Sequence, residues 1–253
     1  MSRAVLVTGA SGGIGRAIAL EFAANGDRVG VHYSASKAKA ERVRDELTGG
    51  GHALIQGDLA DPDEARNIVD AAAEALGGLD VLVNNAAVGT AKDTAHPVPT
   101  VSYVDWQKAW RHAIDVNLLG AANISYCAAR YMIDNNTRGR IVNVGSRGAY
   151  RGEPENPAYG ASKAGLHALG QSLAISLAPH GIAVTSVAPG FVSTERQGDT
   201  LSGARGDAIK GQSPFHRVAQ PHEVARAVLY LASPDATWAS GAVLDLNGAS
   251  YLR

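Results

Sequence analysis

The sequence predicts a single α/β domain spanning residues 1–253: an open, doubly wound parallel sheet with helices on both faces. Short β-branched runs alternate with longer stretches of helical period, the order that builds right-handed crossovers. The short runs are continuously apolar rather than alternating, as expected of strands covered on both faces. With 45% hydrophobic residues in 253, the chain holds enough apolar material for one sizeable core.

The elements follow in order. Strands are expected over residues 4–8, 28–33, 53–56, 81–83, 140–145, 183–187 and 243–246, each a β-branched or aliphatic run. Helical periods occupy 14–24, 37–47, 63–76, a long stretch around 106–133, 158–178 and 222–231. The last follows Pro221, which suits a first helical turn, and Glu223 sits near the positive end of the dipole. Two connections, 88–104 and 190–220, exceed the usual length. Both follow strands, so they belong at the carboxyl edge of the sheet, where ligands bind in this architecture. They are the expected substrate loops.

Composition excludes several classes. Lys+Arg 23 against Asp+Glu 24 leaves a net charge of -1, so no global field draws the chain to nucleic acid or an anionic membrane. A single cysteine, Cys127, excludes an intrachain disulfide and fits a reducing compartment. No apolar stretch approaches the ~20 residues of a membrane span, and the first strand leaves no room for a signal peptide. A cytoplasmic location is expected. Glycine is the outlier, 29 residues, against the usual ~7% of a chain.

The first strand runs into Thr8-Gly9-Ala10-Ser11-Gly12-Gly13-Ile14-Gly15 and then a helix. A glycine turn at a helix N-terminus lets backbone N–H groups meet a pyrophosphate, so a dinucleotide is expected here. The same residues satisfy G-x-S-x-G, the elbow of a nucleophilic serine. Against that reading, this is the first strand, Gly15 opens the helix, and no Asp-then-His pair stands out after later strands. An acidic residue about 20 positions on would favour NAD. Here the second strand ends Val31-His32-Tyr33-Ser34 with no acid. Ser34, Ser36 and Lys37 instead offer groups for a 2′-phosphate, which favours NADP(H) over NAD(H).

Tyr159-Gly160-Ala161-Ser162-Lys163 sets a phenol and an ammonium one helical turn apart. A nearby cation favours the phenolate and lowers a pKa that is otherwise ~10. The spacing alone is weak: composition predicts about 0.2 chance occurrences of Y-x-x-x-K, and Tyr33 with Lys37 repeats it. Context raises Tyr159, because Ser146 closes the strand ending Val142-Asn143-Val144-Gly145. Hydroxyl, phenol and ammonium then converge at the carboxyl edge.

In this order of motifs, along nearly its whole length, the chain resembles the short-chain dehydrogenase/reductase family and its Rossmann-type fold. Gly9, Gly13 and Gly15 match the family's glycine motif, and Asp58 in Gly57-Asp58-Leu59 is similar to its acidic adenine contact. Asn84-Asn85-Ala86-Ala87 matches its Asn-Asn-Ala-Gly, with Ala87 as a departure that is strained if the backbone there needs positive φ. The resemblance implies Asn117, Ser146, Tyr159 and Lys163 as catalytic residues. Tyr159 would protonate the carbonyl oxygen, Ser146 would hold it, Lys163 would bind the nicotinamide ribose and lower the Tyr159 pKa, and Asn117 would hold a relay water. Bland roles also exist: Asn117 as a helix-kink residue, Asp58 as a turn former, Ser146 as a strand-end hydroxyl. The implied cofactor contacts are Gly9, Ser11, Gly13, Ile14, Gly15, Tyr33, Ser34, Ser36, Asp58, Leu59, Asn85, Ala86, Tyr159, Lys163, Pro189, Gly190, Val192 and Thr194, and no metal. Many NADP-using members carry Arg where this chain has Gly12. Arg16 is the charge placed to substitute, unless it faces solvent.

The strand end His32-Tyr33, Val187-Ala188-Pro189-Gly190-Phe191 and Leu246-Asn247-Gly248 are most similar to the family's 3-oxoacyl thioester reductases. The 88–104 loop departs from that group, as does the scarcity of Lys or Arg near His180 for docking an acidic carrier. Phe191, Tyr150 and Trp106 are candidates for apolar walls, and Arg147 and Arg151 flank the site as candidates for an anionic substrate group. The expected function is NADPH-dependent reduction of a ketone, with a 3-oxoacyl thioester as best substrate. The alternatives are oxidation of a sugar, polyol or steroid alcohol, and a non-catalytic dinucleotide-binding scaffold. The resemblance further implies a homotetramer joined through the helices at 106–133 and 158–178, with Leu118, Leu119, Leu169 and Leu173 facing either core or partner.

Overall fold

The computed structural model describes residues 2–90, 92–198 and 200–253. Seven strands join one sheet: β1 (Ala4–Val7), β2 (Arg28–Tyr33), β3 (Ala53–Gln56), β4 (Val81–Asn84), β5 (Arg140–Val144), β6 (Ala183–Pro189) and β7 (Val243–Leu246). Their order is β3-β2-β1-β4-β5-β6-β7, and every pairing is parallel. Val5 pairs with Val29 on one side and Val81 on the other, so β1 is the centre from which the two halves wind outward. That point, where the strand order reverses, is where this architecture binds ligands.

The apolar runs have a direct cause. Side chains alternate across a strand, and here both faces are covered. Val5 and Val7 pack with Val29, Val31, Val142 and Val187 under α1 (Gly13–Ala24), α2 (Lys37–Glu46) and α9 (Pro221–Leu231). Leu6 packs with Leu82, Ile141 and Val184 under α3 (Glu64–Leu76), α5 (Ala121–Asp134) and α7 (Pro157–Leu177). All four residues of β1 are fully buried.

Three strands have the expected bounds, and the others differ by one or two residues at an end. The expected long helix at 106–133 is three segments: α4 (Tyr103–Ile114), a π-helical turn over Asp115–Gly120, and α5. Ser102 caps α4 by accepting a hydrogen bond from the Asp105 N–H at 3.1 Å. Two short helices, α6 (Gly148–Arg151) and α8 (Gly203–Lys210), were expected as loop. Of the two glycines in α8, Gly206 is a packing requirement, because a side chain there would strike the Leu201 backbone, and Gly203 takes a left-handed φ of +59°. At α9, Pro221 occupies the first turn, and Glu223 accepts from the Gln220 N–H at 2.7 Å to complete a capping box.

The left-handed non-glycine residues among those described are Asn136, His216 and Ala249. Ala87 is not one of them, so the departure from Asn-Asn-Ala-Gly carries no backbone strain. Among the described residues no helix is long and apolar enough to cross a membrane. Phe22 fixes α1, and with it the glycine turn, to the sheet: its ring is fully buried, with the Arg3 guanidinium 5.5 Å from its centroid. Phe22→Ala is expected to lower unfolding free energy by about 3–5 kcal/mol. A urea midpoint unchanged from wild type would show that α1 is held elsewhere.

Candidate active site

The glycine turn is locked to the end of β4. Thr8 Oγ1 donates to the Val83 carbonyl (3.2 Å) and accepts from the N–H groups of Asn85 (2.9 Å) and Ala86 (3.0 Å). Asn85 returns its side-chain amide to the Thr8 and Gly9 carbonyls at 2.8 and 3.2 Å. Gly9 has φ +62°, and a Cβ there would lie 2.8 Å from Ala86 Cα. Only glycine meets both conditions.

His32 braces the other side. Its Nδ1 accepts from the Gly9 N–H at 3.1 Å, so Nε2 carries the proton and donates to the Gly57 carbonyl at 3.1 Å. With both ring nitrogens engaged, His32 offers no base to the adjacent Ser11, which removes the nucleophile-elbow reading of its nearest histidine. Burial pushes the His32 pKa down to about 4, against smaller upward effects of the Gly57 hydrogen bond and the Asp58 charge.

A cleft of about 1030 Å³ opens along the carboxyl edge, between the glycine turn and the strand ends of β4, β5 and β6. It gathers nearly all the residues expected from sequence. Gly9, Ser11, Gly13, Ile14, Gly15, Tyr33, Ser34, Asp58 and Leu59 line one part, and Asn85, Ala86, Ser146, Tyr159, Lys163, Pro189, Gly190, Val192 and Thr194 the rest. Both long connections reach it, through Gly89, Thr90 and Thr94 and through Phe191 and Gln197. The turn, the uncapped start of α1 and the cleft's extent fit a dinucleotide, with backbone N–H groups free for its pyrophosphate.

Several expectations need correction. Ser36 is the N-cap position of α2 and does not line the cleft. Lys37 pairs with Glu41 at 3.9 Å, one helical turn on, and is exposed. Lys39, which sequence spacing did not single out, is the lysine of this segment on the cleft wall. Arg16 pairs with Glu46 rather than facing the cleft. Asp58 both lines the cleft and forms its own turn, accepting from the Ala60 N–H at 2.9 Å. Of the aromatic candidates only Phe191 lines the cleft. Trp106 packs on His96 and Trp110, and Tyr150 stacks on His167 at 5.4 Å.

At the reacting end, Ser146 follows β5 and lines the cleft with Tyr159, where its hydroxyl favours the ionised phenol. Its hydroxyl also accepts from the Gly148 N–H at 3.0 Å. Burial raises the Tyr159 pKa, partly offset by the Ser146 hydrogen bond, and Glu153 raises it further. Lys163, expected to lower the Tyr159 pKa, is not among the causes of its shift, whose direction is upward. The Lys163 ammonium is 5.9 Å from the phenol ring centroid and donates to the Val144 carbonyl at 2.8 Å. Burial lowers its own pKa to about 8. Asn117 is buried in the π-helical turn, away from the cleft lining. Its Oδ1 accepts from the Val88 N–H at 2.7 Å, and its amide donates to the Val88 carbonyl at 3.2 Å and Ser162 Oγ at 3.0 Å. Its side chain thus ties the start of the first long loop to the helix bearing Tyr159.

Glu153, which reaches the cleft wall beside Tyr159, escaped the sequence analysis. Thr8 carried a signal, a hydroxyl next to the first glycine, whereas nothing local marks Glu153.

A family described as Enoyl-(Acyl carrier protein) reductase matches residues 9–248. The 3-oxoacyl-[acyl-carrier-protein] reductase FabG of Staphylococcus aureus is 37% identical, covering 100% of this chain and 99% of that protein. The chain belongs to the short-chain dehydrogenase/reductase family. L-rhamnose 1-dehydrogenase (NAD(P)(+)) of a Sphingomonas species is 35% identical over 99% of this chain and 97% of its own. A crystal structure of a short chain dehydrogenase from Burkholderia cenocepacia in complex with NADP superposes with TM-score 0.86 at 34% identity, covering 98% and 97% of the two chains. Members of this family are NAD(P)-dependent oxidoreductases acting on C=O and CH–OH groups, and this chain is one.

The brace at Gly9 requires neutral His32. As pH falls from 6.5, the unfolded chain takes up a proton that the folded His32 refuses until about 4. Stability is therefore full above 6.5 and lost progressively down to about 4, by about 3 kcal/mol. Urea unfolding between these limits is expected to show a steeper pH dependence for wild type than for His32→Asn. Equal slopes would remove His32 from the balance.

Proposed function

We propose that this protein is an NADPH-dependent reductase that converts the ketone of a 3-oxoacyl compound to a secondary alcohol. The observation that carries the reading is the Ser146–Tyr159 hydroxyl pair in the cleft, with Tyr159 kept protonated by burial. A protonated phenol can give its proton to the oxyanion that forms as hydride arrives, because an alkoxide is a far stronger base than a phenolate. NADPH supplies the hydride to the carbonyl carbon. Tyr159 supplies the proton to the oxygen, so the ketone gains two electrons and two hydrogens while the nicotinamide is oxidised. Ser146 donates a hydrogen bond to the oxygen as charge develops there. Lys163 binds the nicotinamide ribose and, with its pKa near 8, returns a proton toward Tyr159.

A pair of hydroxyl donors fits polarisation of a C=O bond rather than the C=C reduction in the matched family's description. The name of the Staphylococcus relative supports a 3-oxoacyl substrate, and its thioester is the form to test first. Preference for NADPH is supported by Ser34 and Lys39 on the cleft wall at the end of β2, where no acid stands. A homotetramer is proposed through α5 and α7, supported by exposed Leu119, Tyr126 and Ile175. Leu118 and Leu173 turn inward, packing on Gly165 and on the core.

The test is initial rates of NADPH and NADH oxidation with an acetoacetyl thioester beside simple ketones. Thioester turnover above the ketones, with NADPH preferred, is expected. Turnover only of sugars or polyols with NADP or NAD would favour the oxidative alternative, and cofactor binding without any turnover would favour a scaffold. Tyr159→Phe is expected to lower kcat by about 10²–10⁴-fold while NADPH affinity stays near wild type, measured by fluorescence titration. Retained turnover would remove Tyr159 as the acid. Ser34→Asp is expected to weaken NADPH roughly fivefold more than NADH, from about 1 kcal/mol of like-charge repulsion. Equal loss would put the 2′-phosphate elsewhere.

A further inference from the structure

Arg147 is a cation of the cleft wall that makes no ion pair within 4 Å, although the Glu153 charge acts on it. Arg147 follows Ser146 directly and is 5% exposed. It lines both the large cleft and a neighbouring cavity of about 300 Å³. Its guanidinium donates to two neutral oxygens, Ser250 Oγ and Gln212 Oε1, the latter at 3.1 Å, and lies 5.5 Å from the Phe191 ring centroid. Arg151 Nη1 donates to the same Gln212 Oε1 at 2.7 Å. Two like charges are thus gathered on one amide oxygen.

The ion pairs among the described residues include neither arginine. The other charged side chains of the smaller cavity are paired, Asp245 with Arg253 at 2.8 Å and Arg217 with Glu223 at 2.7 Å. Glu153 faces the arginines without an ion pair to either, its carboxylate resting where a side chain on Gly148 would stand. Burial pushes the Glu153 carboxyl upward and the Arg147 guanidinium downward, the Arg151 charge lowers Arg147 further, and the attraction between Glu153 and the arginines offsets only part of this. Desolvating a cation is costly unless an anion compensates it. A carboxylate, with two oxygens, serves two converging guanidiniums better than a single amide oxygen.

We propose that Arg147, assisted by Arg151, binds a carboxylate carried by the substrate, so that the ketone reduced here belongs to a 3-oxo acid. The inference rests on the ketoreductase reading above and refines it, by placing a free acid where the thioester would stand. The bound carboxylate takes the position of Gln212 Oε1 between the two guanidiniums.

The experiment compares kcat/KM for acetoacetate, methyl acetoacetate and acetoacetyl-coenzyme A in wild type, Arg147→Gln and Gln212→Glu. The acid-to-ester ratio is read because a general loss of folding or cofactor binding cancels in it. Wild type is expected to favour the acid over the ester by about tenfold or more, the scale of a charged hydrogen bond. Arg147→Gln should abolish that ratio. Gln212→Glu, which supplies a built-in carboxylate, should raise KM for the acid more than for the ester. This second variant keeps the proposal testable if Arg147→Gln does not fold. A wild-type ratio near one, or equal loss for acid and ester in Arg147→Gln, overturns the proposal. A preference for the coenzyme A thioester that Arg147→Gln removes would assign the anion to a phosphate and also overturn it. A separate arm measures binding of 3-hydroxybutyrate by calorimetry in the presence of NADP. Binding that Arg147→Gln weakens about tenfold supports the carboxylate site whatever the turnover, and absent binding overturns it. Failure of every ketone to oxidise NADPH or NADH overturns the ketoreductase reading instead.

Discussion

The structure depends on the junction between β1 and β4. These neighbours in space are far apart in sequence, and the Thr8 hydroxyl joins them by using its one proton and its lone pairs together. Asn85 answers with its side-chain amide to the carbonyls of Thr8 and Gly9. The result is a rigid floor at the strand-order reversal, on which the glycine turn can present bare backbone. His32 extends the same bracing to the end of β3 through Gly57. Buried polar groups that are all satisfied specify a single arrangement, and a binding surface made of backbone needs that precision.

At the reacting end, burial governs the charges. It raises the Tyr159 phenol and lowers the Lys163 ammonium to about 8, which makes the ammonium the stronger acid of the two. A proton lost from Tyr159 is therefore replaced downhill from Lys163. Arg147 obeys the same rule at the substrate side, where burial lowers its guanidinium pKa, its hydrogen bonds go to neutral oxygens and Glu153 offsets part of the shift. The two long connections close over this region, and Asn117 anchors the first of them to the helix bearing Tyr159 through Val88 and Ser162.

Much of the fold was legible because strands buried on both faces leave continuous apolar runs, and β2, β3 and β7 have the bounds read from the chain. The misread elements have identifiable causes. The π-helical turn at Asp115–Gly120 keeps helical composition, so 106–133 read as one helix. α8 carries Gly206 against the Leu201 backbone and Gly203 at a left-handed φ, and glycine reads locally as loop. In the site, Ser36 and Lys37 had the right chemistry and position in sequence, but α2 turns both away from the cleft and brings Lys39 to it.

By itself the sequence determined the sheet's class, the glycine turn and the Ser146–Tyr159–Lys163 set, because each is a local pattern: an apolar run, a φ requirement, one helical turn. Tertiary structure decided the strand order, the cleft, the engagement of His32 and Asn117, and which cations have partners. Those are properties of residues distant along the chain, and of how much water their packing excludes. Glu153 is the plain case: an ordinary loop carboxylate in sequence, it becomes a half-buried neighbour of Tyr159 only when α6 and α7 fold against each other.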